Sequence, residues 1–237
     1  DPILSPKWSP VDSSRFAFMS YDGKQAVIYV QSLLTGDRKK IAAFPGLNSS
    51  PAWSPDGRNL ALTLSKDGNP EIYIANLRTG EIERMTKHFA IDTEPTWAPD
   101  NKSIVFTSNR GGKAQLYQLD LSTKEVKRLT FEGDYNSNAT FPPRDSSNIV
   151  FVHKKDKTDD TFHIAKMNLD SGVISTLTET SSDEYPSVSP NKNVVIYATS
   201  DKGQGLLGLV SIDGKIRGRL KVQGMNVREP SWSDFMN

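Results

Sequence analysis

A tryptophan-centred motif recurs along this chain at a nearly constant interval, and that periodicity restricts the fold more than any other feature. Trp8-Ser9-Pro10, Trp53-Ser54-Pro55-Asp56-Gly57 and Trp97-Ala98-Pro99-Asp100 align directly, and Phe141-Pro142-Pro143, Val188-Ser189-Pro190 and Trp232-Ser233 are weaker copies. The steps between them are 45, 44, 44, 47 and 44 residues. Tyr29, Tyr73 and Tyr117 follow the same spacing, as do Arg84-Met85-Thr86, Arg128-Leu129-Thr130 and, in looser form, Thr176-Leu177-Thr178. Independent registers that share one period identify a repeat architecture.

Inside a unit the pattern is that of strands. Leu60, Leu62 and Leu64 alternate with Ala61 and Thr63, which is the two-residue period of a β-strand. Glu71 to Leu77 and Ile82 to Thr86 read as two further strands, and Pro51-Ala52-Trp53 as a fourth. Asp56-Gly57, Asp67-Gly68 and Thr79-Gly80 supply turn chemistry between them. No segment keeps helical spacing. Four short strands in ~44 residues make one blade of a β-propeller, so the fold class is all-β, with four-stranded antiparallel blades and a single propeller domain over 1–237. A lone meander cannot bury both its faces; arranged radially, each blade covers the next. The large aromatic of each innermost strand (Trp8, Trp53, Trp97, Phe141, Trp232) is then a packing wedge between blades.

The strand count does not close. There are six innermost strands, the last at Glu229 to Ser233, but only five sets of outer strands. The expectation is five complete blades plus one innermost strand, with a sixth blade needing about 40 residues upstream of Asp1; the alternative is a five-bladed ring with an irregular tail.

Composition removes several functions. There is no cysteine, hence no disulfide or thiolate chemistry. Twenty-nine basic against 28 acidic residues leave a net charge of +1, with no net field to attract a nucleic acid. No apolar run approaches the ~20 residues of a spanning helix, so direct membrane insertion is not expected.

Motifs with catalytic potential dissolve in this context. Gly203-Gln204-Gly205-Leu206-Leu207-Gly208 matches the dinucleotide pattern, but it joins two strands rather than a strand and a helix, and reads as a hairpin turn. His88, His153 and His163 are scattered and carry no metal-ligand spacing. There is no G-x-S-x-G nucleophile elbow. The charged run Lys154 to Asp160 reads as a solvated turn between the second and third strands of the fourth unit.

One constellation remains. The segments leading into the innermost strands read Leu47-Asn48-Ser49-Ser50, Asp92-Thr93-Glu94, Asp134-Tyr135-Asn136-Ser137-Asn138, Asp183-Glu184-Tyr185 and Val227-Arg228-Glu229. Innermost strands ring the axis, so these segments meet at one mouth of the central channel. Carboxylates in a concave mouth focus a negative potential, which suits a protein partner offering basic or amide groups, or a hard cation with oxygen ligands.

Segments between the repeat cores carry a resemblance: Ala42 to Gly57, Thr93-Glu94-Pro95-Thr96-Trp97, Asp183-Glu184-Tyr185-Pro186-Ser187 and Leu209 to Gly214 are similar to the TolB family, β-propeller proteins of the bacterial Tol–Pal system. The resemblance implies a monomeric, non-catalytic periplasmic scaffold with a six-bladed propeller and a preceding α/β domain that this sequence is expected to lack. It implies binding of the lipoprotein Pal at the channel mouth, in support of outer-membrane integrity and cell division. Some colicins exploit the Pal site. TolA is bound through an N-terminal segment expected to be missing here. The implied Pal contacts are Leu47, Asn48, Ser49, Ser50, Asp92, Thr93, Glu94, Tyr135, Asn136, Asn138, Glu184, Tyr185, Arg228 and Glu229. Thr93 matches a position implicated in Pal binding. Leu47 and Ser50 stand where relatives carry histidine and alanine. Relatives also suggest Ca²⁺ in the channel, for which Glu94 and Asp92 are the expected residues. The rival readings are the substrate-gating propeller of a prolyl-oligopeptidase-like serine peptidase, which needs a hydrolase domain, and a propeller polysaccharide lyase, which needs a histidine-rich metal site.

Overall fold

The computed structural model describes residues 2–158, 160–201, 203–220 and 227–233. The described residues fold into five four-stranded antiparallel sheets. The first comprises β1 (Leu4–Trp8), β2 (Arg15–Asp22), β3 (Gln25–Ser32) and β4 (Arg38–Ala42). The second holds β5 (Asn48–Trp53), β6 (Asn59–Leu64), β7 (Glu71–Asn76) and β8 (Ile82–Arg84). The third holds β9 (Asp92–Trp97), β10 (Ser103–Ser108), β11 (Gln115–Asp120) and β12 (Val126–Arg128). The fourth holds β13 (Tyr135–Thr140), β14 (Asn148–Lys154), β15 (His163–Asn168) and β16 (Ile174–Thr176). The fifth holds β17 (Glu184–Val188), β18 (Val194–Asp201), β19 (Gln204–Ser211) and β20 (Arg217–Leu220). Each sheet pairs its strands in sequence order, and among the described residues no helix is long and apolar enough to cross a membrane.

The core lies between blades. Trp53 packs with Ala17, Ile28 and Val30 of the first blade and Leu60, Leu62 and Tyr73 of its own. Trp97 does the same between the second and third blades, Phe141 between the third and fourth, and Val188 between the fourth and fifth. Each wedge buries apolar surface of two sheets at once, which welds the meanders into one cooperative ring. The Trp53 indole N–H also donates to the carbonyl of Lys7, 2.9 Å away in the preceding blade.

The expected innermost strand at Glu229 to Ser233 is corrected: residues 227–233 form no strand. The segment nevertheless occupies the sixth position of the ring. Trp232 N–H donates to Ser187 Oγ of β17 at 3.0 Å, and Ser5 N–H of β1 donates to the Glu229 carboxylate. No second strand lies beside it among the described residues to complete a ladder, and Trp232 is exposed as a result.

The glycine-rich motif joins two strands as expected, but only Gly203 sits in the hairpin turn, while Gln204 to Gly208 belong to β19. β18 and β19 pair from Val194↔Ser211 to Asp201↔Gln204. Gly203 has φ +81°, a turn conformation, and Gly208 lies opposite Tyr197, whose ring would meet an added Cβ at 2.2 Å. Gly208→Ala is therefore expected to cost about 1–3 kcal/mol through overpacking, read as a lower urea midpoint; an unchanged midpoint would mean that the Tyr197 ring swings clear. The charged run also falls where expected, between β14 and β15, although Asp159 lies outside the described residues.

Candidate functional site: the channel mouth

The site is built by one backbone feature repeated six times. Ser5, Ser50, Glu94, Asn138, Tyr185 and Glu229 all have φ between 49° and 54°, and each stands 44 to 47 residues from the next. In all but Asn138 the next residue is proline. Proline has no N–H to give to the ladder, and every innermost strand shifts register at this point. The result is a β-bulge that re-aims one side chain per blade. All six of these residues line one central cavity of about 200 Å³. A non-glycine residue at positive φ costs about 1–3 kcal/mol, and such strain collects where structure serves function.

Hydrogen bonds between blades hold the bulges. The Glu94 carboxylate accepts from Thr107 Oγ at 2.8 Å, from Asn138 N–H at 2.9 Å and from Asn138 Nδ2 at 3.3 Å. Glu94 N–H donates to Thr63 Oγ at 3.2 Å in the preceding blade. Glu229 repeats the same contact towards Ser5, so its carboxylate joins the last segment of the ring to the first strand. The Tyr185 phenol is pushed up to about 12 by burial, then by Glu229, Glu184 and Glu94. It stays protonated near neutral pH and can serve as a donor in the channel.

The structure sorts the expected contact residues into two sets. Ser49, Ser50, Thr93, Glu94, Tyr135, Asn138, Tyr185 and Glu229 are partly accessible around the channel, and Leu47, Glu184 and Arg228 are exposed. Asn48, Asp92 and Asn136 are fully buried, which corrects the expectation that their side chains meet a partner. Asn48 holds its loop by accepting from Phe44 N–H and donating to the carbonyls of Phe44 and Gly46. Asp92 pairs with Arg110 at 2.6 Å. Asn136 bridges Gln115 Oε1 at 2.8 Å and His153 Nδ1 at 2.7 Å. These three position the mouth without lining it.

The expected calcium pair does not fit. Asp92 is turned into its blade towards Arg110 while Glu94 faces the channel, already accepting three hydrogen bonds. Among the described residues no three acids or histidines come together as metal ligands.

Sequence reading singled out Leu47 but passed over the rest of an apolar rim. Leu47, Phe89, Ile91 and Phe131, in the segments leading into β5, β9 and β13, are 37%, 88%, 47% and 73% exposed. Successive strands of a blade are antiparallel, so every segment leading into an innermost strand lies on the same face of the ring. Large apolar groups repeated beside a polar cavity were the available signal.

The sequence matches the TolB beta propeller domain family over residues 1–236. It is 57% identical over 237 residues to the Tol-Pal system protein TolB of Alcanivorax borkumensis, covering 100% of this chain and 54% of that protein. It is 58% identical over 233 residues to the protein of the same name from Nitrosococcus oceani, covering 98% of this chain and 52% of that one. The chain thus spans about half the length of the curated relatives it matches. The crystal structure of TolB from Acinetobacter baumannii superposes with a TM-score of 0.92 at 43% identity, over 99% of this chain and 58% of that one. An oligogalacturonate lyase in complex with manganese superposes at 0.66 with 18% identity, over 92% of this chain and 65% of that one; a likeness that distant shows the fold alone. Full-length family coverage, identities above one half and a near-superposable ring agree: this chain belongs to the TolB β-propeller family.

Proposed function

We propose that this propeller is a non-catalytic periplasmic scaffold of the Tol–Pal system. It binds the lipoprotein Pal at the channel mouth, in support of outer-membrane integrity and cell division. The observation that carries the reading is the ring of six re-aimed side chains around one polar cavity, in a chain of this family. The recognition surface is Leu47, Ser49, Ser50, Thr93, Glu94, Tyr135, Asn138, Glu184, Tyr185, Arg228 and Glu229, with Asn48, Asp92 and Asn136 as its internal supports. Relatives more than half identical over the length of the chain carry the name of the Tol–Pal system, and a concave, mixed acidic and amide surface suits a protein ligand better than a small substrate.

Calorimetric titration with the soluble domain of the cognate Pal, with and without Ca²⁺, tests the reading. Saturable one-to-one binding is the expected result. A folded sample that binds no Pal would remove Pal as the partner of this domain.

Thr93 gives a sharper test. It is half-buried and lies opposite Thr107 in the β9–β10 ladder. Thr93→Ile should weaken Pal binding by about tenfold, roughly 1.4 kcal/mol, because a bulkier apolar group fills a polar seat. Its unfolding midpoint should stay near that of the unmodified chain. Equal affinity would take Thr93 out of the interface.

A further inference from the structure

Lys7 breaks the repeat inside the channel. The equivalent positions in the other five units hold Ala52, Thr96, Thr140, Ser187 and Ser231, all small and uncharged. Among the six bulge residues, only Glu94 and Glu229 are charged. The three departures from the repeat pattern therefore comprise one cation and two anions, and all three line the same central cavity. Glu94 already accepts three hydrogen bonds and Glu229 caps the N–H of Ser5. Burial drives the Lys7 ammonium below the ordinary lysine range, and Glu229 and then Glu94 oppose that shift. A hard divalent cation would need six to eight oxygen ligands. Here it would share the cavity with an ammonium of its own sign.

We propose that the Lys7 ammonium is the resident cation of this channel, neutralising Glu94 and Glu229 from within the cavity, so that this propeller does not take up Ca²⁺ there. The channel's charge balance is then built into the chain and does not vary with calcium supply. The inference stands apart from the choice of partner, since it concerns the unliganded chain.

The test is thermal unfolding and calorimetry of the 237-residue chain with millimolar CaCl₂, alongside Lys7→Met and Lys7→Gln. The unmodified chain should show no saturable Ca²⁺ binding and no change in Tm. With the ammonium gone, Ca²⁺ should raise the Tm of either variant by about 5 °C, and adding Glu229→Gln should abolish that gain. Two variants are used so that one poorly folding protein does not decide the matter. An equal response of variants and unmodified chain, whether a shift in all or in none, overturns the proposal. Saturable submillimolar Ca²⁺ binding in the channel of the unmodified chain overturns it without any variant.

Discussion

Replacing Arg110 by alanine should destabilise the domain by about 3–5 kcal/mol, the cost of stranding a buried charge. Its partner Asp92 has no exposed side-chain surface, and the guanidinium that neutralises it is itself only 16% exposed. The guanidinium also lies 5.2 Å from the Phe106 ring centre and 5.1 Å from that of Tyr117, so its removal takes away packing as well as charge. The Asp92 carboxyl is held above the ordinary aspartate range by burial, with Ser108 and Arg110 drawing it back down. An acid whose pKa is higher folded than unfolded binds its proton more tightly in the folded state. In Arg110→Ala the penalty should therefore be largest near neutral pH and shrink as pH falls through the folded pKa. Urea unfolding at two pH values reads both effects. Arg110→Ala combined with Asp92→Asn should recover part of the loss. A cost below about 1 kcal/mol would show that the pair does not hold the base of β9 and would reopen Asp92 as a channel group.

The ring was legible in the sequence because its stabilising contact has to recur. A wedge such as Trp53 must bury surface on two sheets, so one large apolar group is needed per unit, and the 44-residue step follows from that packing. The Arg-x-Thr register was visible in the same way, but its meaning was not. Thr86 and Thr130 are buried hydroxyls that accept from Ile72 N–H and Leu116 N–H and donate to Glu71 and Gln115. Nothing in the letter Thr distinguishes a buried bridge from a turn residue. The same holds for Asn48, Asp92 and Asn136. Amides and acids beside a turn resemble solvent-facing loop groups, and burial depends on strands tens of residues away. Their 44-residue spacing placed them in one register but could not mark them as buried, because the channel-facing Ser50, Glu94 and Asn138 keep the same spacing. The bulge was equally readable, because five of the six units place proline immediately after the residue that faces the channel. The segment 227–233 was recognised by its Glu-Pro-Ser-Trp sequence and sits where that sequence belongs, but strand pairing requires a neighbour as well as a motif.

The second large effect is expected at the apolar rim. Among the described residues, Phe89 and Phe131 are the most exposed aromatic groups on the face where the channel opens. Phe89 lies tilted against His88 with ring centres 4.2 Å apart, and the Phe131 ring centre lies 5.0 Å from the Arg128 guanidinium. Each ring is thus held in place while most of its surface meets water. An aromatic group fixed in that way loses little conformational freedom when covered, and aromatic anchors dominate protein interfaces for that reason. Phe89→Ser and Phe131→Ser together should weaken Pal binding by at least about 30-fold, roughly 2 kcal/mol. Stability should move by no more than about 0.5 kcal/mol, because little buried surface is lost. Leu34, Val173 and Ile216 provide the control. They are also exposed, but they lie in the turns between the third and fourth strands of their blades, on the opposite face of the ring. Leu34→Ser should leave the affinity unchanged. If the rim variant binds Pal as tightly as the unmodified chain, recognition is confined to the polar ring of bulge residues. If Leu34→Ser weakens binding instead, the partner sits on the other face and the channel mouth is not the docking site.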